Sequence, residues 1–142
     1  MNPVVVSCTI ESVKTFLAGR AALTARERYG APFDPSARSF AFAANGDSQA
    51  PPIAVMLMTI AGGVAIIDEL IVASPSDGAA AEMLIGRFEE TASYHNCHKA
   101  SAVVKEDGAT AQALTRAGYR VEAFLKRHYF QADFVEVVKW LQ

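Results

Sequence analysis

The chain has 142 residues, of which 51% are apolar and 20% are charged. This length fits one domain covering residues 1–142, and the apolar content excludes wholesale disorder because it can supply a sizeable core. The 13 basic and 15 acidic residues give a formal net charge of -2, which lacks the basic excess of a dedicated nucleic-acid binder. We therefore expect no nucleic-acid partner.

The two cysteines and the lengths of the apolar runs predict where in the cell the protein is found. Cys8 and Cys97 make no disulfide framework and indicate free thiols in a reducing environment. The apolar runs are shorter than the roughly 20 residues that a membrane span requires. The N-terminal segment lacks the basic start of a secretory signal. We expect a soluble cytoplasmic protein with no membrane partner.

The first half of the chain predicts a strand, a helix and a three-stranded meander. The β-branched run Val4–Cys8 predicts a strand, and Thr9 with Glu11 predicts a helix start. The helix is predicted to end at about Arg28. The connections between the next three strands are too short for parallel crossovers, so these strands are predicted to be antiparallel. They cover residues 39–44, 53–60 and 64–73.

The second half predicts two helices and three strands. A helical pattern begins at Gly78 and ends near Asn96, a residue type that can take the left-handed conformation after a helix. A strand at 100–104, a helix at 109–117 closed by Gly118, and strands at 121–129 and 134–141 follow. The order β-α-β-β-β-α-β-α-β-β predicts an α/β (α+β) fold with a mixed, mostly antiparallel seven-stranded sheet flanked by helices.

Three segments carry a resemblance to a known family. They are IIDELIVA with the small-residue helix start after it, EDGATAQALTRAGYRVEAF with its Gly118-Tyr119 ending, and the closing hairpin HYFQADFVEVVKW. Together they resemble the GNAT superfamily of acyl-CoA-dependent N-acyltransferases, most specifically from Ala65 to Gln142. The resemblance implies a GNAT-like fold, acetyl-CoA as acyl donor, and a primary amine of a small molecule or peptide as acceptor. Aromatic residues in the C-terminal strands leave a homodimer open.

A coenzyme site is predicted around the start of the second helix. Free N–H groups and a partial positive charge at a helix start favour a pyrophosphate, and small residues let it approach the backbone. By resemblance, a bulge in the preceding strand lets that strand pair with the pantetheine arm, and Asp107 takes the position of the family's asparagine. The predicted cofactor-binding residues are Ile71, Val72, Ala73, Asp77, Gly78, Ala79, Ala80, Ala81 and Asp107.

The sequence departs from the family pattern at two places. The family's Gln or Arg before the small residues is replaced by Pro75 or by Gly78, depending on how the loop is aligned, and Asp77 adds a negative charge there. Leu114 stands where the family's general-acid tyrosine falls, and leucine cannot protonate a leaving thiolate.

The candidate catalytic groups are Glu69 as base and Tyr129 as a replacement acid. Asp68 and Glu69 are adjacent in a strand, so we expect them to point to opposite faces. Glu69 matches a family position where acids are frequent, and it would deprotonate the amine directly or through water. The alternative interpretation of Glu69 is a surface acid paired with a neighbouring base.

The resemblance also implies an acceptor pocket near the basic first helix and its loop, lined by Tyr29, Phe33 and Asp34. No metal site is expected, since His95, Cys97 and His98 lack the further ligands that zinc requires. Two other hypotheses remain open. One is a non-catalytic GNAT-like module that binds a ligand or a protein, and the other is a mixed-sheet protein unrelated to coenzyme A.

Overall fold

The computed structural model describes residues 2–20, 38–45 and 52–141. Contacts divide the chain into two compact units, Met1–Ser36 and Ala37–Gln142. A single domain over the whole chain therefore stays a prediction. None of the helices in the described ranges has the length and apolar character that crossing a bilayer requires.

The first unit contains helix α1, Ile10–Gly19. Its predicted start is confirmed, since the Ser12 N–H donates to Thr9 Oγ1 at 3.2 Å. The end predicted at about Arg28 lies outside the described residues. The strand predicted at Val4–Cys8 is wrong, because residues 2–9 form no regular structure. β-branched residues favour a strand only where a neighbouring strand and a core accept them, and Val5 is fully exposed at 100%.

The second unit is a six-stranded sheet with two helices, as counted over the described residues. The strands run in the order β1-β2-β3-β4-β6-β5, and only the β3–β4 pair is parallel. The predicted mixed, mostly antiparallel fold is thus confirmed, with six strands rather than seven because the Val4–Cys8 run does not join the sheet. The elements are β1 Arg38–Asn45, β2 Pro52–Ala61, β3 Val64–Val72, α2 Gly78–Tyr94, β4 Lys99–Lys105, α3 Ala109–Arg116, β5 Arg120–Tyr129 and β6 Ala132–Trp140.

Turn residues fix the connections. Gly62 and Gly63 join β2 to β3 with φ of 61° and 77°, the left-handed pair that a two-residue hairpin needs. Asn96 after α2 (φ 58°) and Gly118 after α3 (φ 97°) are also left-handed, as the sequence predicts. The turn expected at residues 131–133 is instead Phe130-Gln131, since β6 already begins at Ala132.

Helices α2 and α3 pack on one face of the sheet. Alternate residues of β2, from Ala54 to Ile60, point into this core together with Phe88 of α2 and Leu114 of α3. The helix between β3 and β4 provides the crossover that a parallel strand pair requires.

Candidate functional site

The two parallel strands separate partway along their length. β3 and β4 pair only from Val64–Ile67 to Lys99–Ala102, although β3 continues to Val72 and β4 to Lys105. β3 remains paired with β2 on its other side over this stretch. The separation therefore leaves one edge of β3 without a strand partner, and the backbone groups there are available to a ligand.

A β-bulge lies at the point of separation. Leu57 pairs with Glu69, but the next residue, Met58, pairs with Ile67, so Asp68 is an extra residue in β3. The core-facing positions shift accordingly from Ile67 to Leu70. Asp68 and Glu69 are both exposed and both lie away from the core. The expectation that they point to opposite faces is wrong, because the bulge interrupts the regular alternation.

The gap between the strands forms a cleft of about 210 Å³. Its polar lining includes Asp68, Glu69, Lys105 and Thr110, and its apolar lining includes Val103 and Phe134. Gly108 and Ala109 at the start of α3 also line it. The sequence interpretation missed Lys105, Thr110 and Phe134, since only the separation of the strands brings them beside the two acids.

The predicted pantetheine-binding residues Ile71, Val72 and Ala73 lie along the end of β3. The Ala73 N–H donates to the Ile53 carbonyl of the β2 side at 2.8 Å, so this amide is already used. Because hydrogen-bonding directions alternate along an antiparallel strand, Ile71 also faces β2, whereas Leu70 and Val72 direct their backbone groups toward the cleft. Val72 is therefore the predicted residue best placed to pair with an extended ligand.

The start of α2 is preceded by a 3-10 turn over Pro75–Asp77. Ser74 already accepts from two amides of this turn, from Ser76 at its side chain (3.4 Å) and from Asp77 at its carbonyl (2.9 Å). The Asp77 side chain makes no capping hydrogen bond to the helix. An anion at this helix would therefore depend on amides further along, beginning near Gly78.

Small residues at the start of α2 differ in their surroundings. Ala80 and Ala81 are buried in the core, so their small size serves helix packing. Ala79 is exposed. A Cβ on Gly78 would meet nothing within 4 Å, and its φ of −57° is ordinary for any residue. Neither packing nor backbone conformation requires glycine there, which leaves room for a ligand to approach.

Asp107 lies in the loop between β4 and α3. It is exposed, and its carboxylate lies 3.6 Å from Nζ of Lys105, which lines the cleft. The loop is joined to the closing hairpin, since the Glu106 N–H donates to the Asp133 carbonyl at 3.3 Å. The Asp133 carboxylate accepts from the Arg127 N–H at 3.1 Å, and this hydrogen bond holds the pKa of Asp133 below its usual range.

Tyr129 lies beside the cleft rather than in its lining. Its ring contacts Phe134, with centroids 5.1 Å apart, and Phe134 lines the cleft. Leu114, at the position of the expected acid, is fully buried in the core. Tyr119 is buried as well, and burial followed by the negative charge of Glu89 raises its pKa, so its hydroxyl stays protonated.

Of the remaining candidate residues in the described ranges, Cys97 does not line the cleft. Cys97 is buried, and burial raises the pKa of its thiol. Among the described residues, no group of three or more His, Cys, Asp and Glu side chains could hold a metal ion. The predicted acceptor residues Tyr29, Phe33 and Asp34 lie outside the described residues.

A larger cavity of about 450 Å³ lies between β1 and the C-terminal half of α2. Phe40, Phe42 and Tyr94 supply much of its wall, and Arg87 and Glu90, which line it, form an ion pair at 3.7 Å. It contains no pair of adjacent acids and no unpaired strand end of the parallel pair. The cleft is therefore the better candidate for a catalytic site.

Comparison with known proteins shows which solved structures share this fold. No protein-family model matches the sequence, and no curated protein is similar enough to count as a relative. Solved acetyltransferase structures do match the coordinates. An acetyltransferase from Bacillus cereus ATCC 14579 superposes with a TM-score of 0.75 at 12% identity, over 99% of this chain and 98% of that chain.

Two further structures show the same likeness. The ribosomal-protein-S18-alanine N-acetyltransferase from Escherichia coli gives a TM-score of 0.64 at 13% identity, over 74% of this chain and 70% of that chain. A chain of the NatC complex bound to Gag peptide and CoA gives 0.62 at 15% identity, over 98% of this chain and 84% of that chain. The chain therefore has the fold of the GNAT acetyltransferases.

Proposed function

We propose that the protein is an acyl-CoA-dependent N-acyltransferase that transfers an acetyl group to the primary amine of a small molecule or peptide. The observation that carries this proposal is the cleft at the separation of β3 and β4, where a bulge places two carboxylates beside an unpaired strand edge. Such an edge can bind an extended ligand through its backbone, and a carboxylate can accept a proton from an amine.

Acetyl-CoA would be held by the backbone of Leu70 and Val72 and by the start of α2 at Gly78 and Ala79. The residues present fit this group, because the β3 edge has no strand partner and the space around Gly78 is open. When bound, acetyl-CoA supplies an activated thioester. These contacts with acetyl-CoA do not require the missing Gln or Arg side chain, because the main chain provides them.

The residues of the cleft then have two tasks. Asp68 or Glu69 accepts the proton of the incoming ammonium group, which leaves a neutral amine that can attack directly. Val103 and Phe134 provide apolar walls that reduce the access of water to the reacting groups. Tyr129 contacts Phe134 and does not line the cleft, so in this scheme water, rather than a side chain of the protein, supplies the proton of the leaving thiol.

A non-catalytic GNAT-like module is the second candidate. The burial of Leu114 favours it, because the position of the expected acid has become part of the core. Asp77 also favours it, because its charge would oppose a pyrophosphate at the same helix start. We further propose a cytoplasmic location and a homodimer, the first because Cys8 and Cys97 are free thiols and the second because aromatic side chains of β5 and β6 are exposed.

The test is release of the CoA thiol from acetyl-CoA over a panel of amines, with and without the protein. We expect release that depends on an amine and that falls at least a hundredfold in the Asp68→Asn/Glu69→Gln double variant. Binding of acetyl-CoA without release for any amine would support the non-catalytic module instead.

A further inference from the structure

We propose that Asp68, rather than Glu69, is the proton acceptor of this site, and that Thr59 is a positioning residue that holds it. The inference rests on the proposed function, because it assigns roles within the proposed transfer. It starts from the bulge in β3, which changes what orients each of the two acids.

Because of the bulge, no residue of β2 pairs directly with Asp68. In a regular antiparallel pair, the opposite residue and the pleat fix the direction of each side chain. Glu69 has such a partner in Leu57, and Ile67 has Met58, but Asp68 is the extra residue between them. The cross-strand pairing that helps to orient its two neighbours is therefore absent at Asp68.

Thr59 of β2 provides a side-chain contact to Asp68 instead. Its Oγ1 hydroxyl donates to Oδ2 of Asp68 at 2.6 Å, a short distance typical of a hydrogen bond to a charged acceptor. The threonine side chain is β-branched and has few rotamers, so the hydroxyl holds the carboxylate at little entropic cost. The other carboxylate oxygen, Oδ1, takes no part in this bond, and Asp68 lines the cleft.

Glu69 lacks a comparable constraint. Its carboxylate makes no hydrogen bond or ion pair with any residue in the described ranges, although it also lines the cleft. A longer, unanchored side chain must be ordered anew for each proton transfer, and that ordering costs free energy. A base that is already oriented avoids this cost, since the rate of such a step depends strongly on geometry.

The step assigned to Asp68 is a single proton transfer. One N–H bond of the alkylammonium breaks, the proton moves to Oδ1, and the electron pair stays on nitrogen as the lone pair of the attacking amine. The proton then leaves to water through the open side of the cleft. Thr59 donates to Oδ2 throughout and neither gains nor loses a proton.

The experiment compares variants of the two acids and of the hydroxyl, with steady-state kinetics for an amine that the protein acetylates and with calorimetric binding of acetyl-CoA. We expect Asp68→Asn to lower kcat by about 100- to 10,000-fold, and we expect the loss in Glu69→Gln to be at least tenfold smaller. Thr59→Val should lower kcat about 10- to 100-fold with the acetyl-CoA affinity and the KM for the amine unchanged. Thr59→Ser, which keeps the hydroxyl, should restore most of the activity.

Ser101→Ala is the matched control. Ser101 donates to Glu136 Oε1 at 3.0 Å, which is likewise a hydroxyl-to-carboxylate bond, but neither residue lines the cleft. Its kcat should remain that of the wild type. Full activity of Asp68→Asn or of Thr59→Val would overturn the inference while leaving the proposed function intact, whereas failure of the wild type to bind acetyl-CoA or to acetylate any amine would overturn both.

Discussion

Gly63 and Gly86 differ in their backbone conformation, since the first is left-handed and the second is helical. Gly63 closes the β2–β3 hairpin at φ 77°, whereas Gly86 lies inside α2, where a methyl group would meet no neighbouring atom within 4 Å. A side chain at the first position is strained by the left-handed backbone, and a side chain at the second position only removes backbone freedom from the unfolded state.

Alanine at these two positions should therefore have opposite effects. We expect Gly63→Ala to lower the free energy of unfolding by about 1–2 kcal/mol, from the left-handed backbone. Gly86→Ala should raise it by about 0.5–1 kcal/mol, as for a glycine inside a helix. Urea unfolding of both variants measures this, and a stabilised Gly63→Ala would show that the hairpin does not have the described geometry.

Single residues also mark where sequence reasoning reaches its limit. Asn96 and Gly118 were predictable because the left-handed conformation after a helix is a local preference of those residue types. The shared face of Asp68 and Glu69 was not predicted, because the resemblance implies a bulge in this strand but the sequence IIDELIV does not show which residue is the extra one. Thr59 had no signal at all, since its role depends on a contact with a neighbouring strand.

Two ion pairs join helix α2 to the α3 region, and they differ in exposure. Lys139 of β6 lies 2.9 Å from Glu89 of α2, with side chains 33% and 23% exposed, and it also donates to the Ala117 carbonyl at 2.9 Å. Arg116 of α3 lies 3.5 Å from Glu82 of α2, with side chains 58% and 57% exposed. Water screens the second pair more than the first.

Double-mutant cycles should separate the two pairs. For Glu89→Gln with Lys139→Met, we expect a coupling free energy between about 0.5 and 3 kcal/mol, because both side chains are partly buried and water weakens their attraction less. For Glu82→Gln with Arg116→Met, we expect less than about 1 kcal/mol. Equal coupling in both cycles, measured by chemical unfolding, would contradict the idea that Lys139 holds α2 against the end of α3.

At the level of elements, the strands and helices of residues 38–141 follow from periodicity, because glycine and proline punctuate them clearly. The predicted strand at Val4–Cys8 failed since composition cannot tell whether a partner is present. The separation of β3 from β4 was not predicted from the sequence. This separation forms the cleft, but it depends on how β3 and β4, which are distant in the sequence, twist and bulge in the folded sheet.

The whole molecule has the GNAT fold, and its predicted coenzyme contacts come mostly from the backbone. This explains how a chain with Pro75 and Asp77 beside the proposed site, and a net charge of -2, could still bind a pyrophosphate. The order of elements made the fold predictable from sequence, whereas the acceptor pocket predicted at Tyr29, Phe33 and Asp34 lies outside the described residues.

The most direct measurement is calorimetric titration of the wild-type protein, Gly78→Glu and Gly86→Glu with acetyl-CoA. Both variants add one negative charge to an open position of α2, but only Gly78 lies at the helix start. We predict saturable micromolar binding for the wild type and for Gly86→Glu, and binding at least tenfold weaker for Gly78→Glu, because the added carboxylate opposes the pyrophosphate. No binding by the wild type at millimolar acetyl-CoA, or equal binding by all three proteins, would contradict the account.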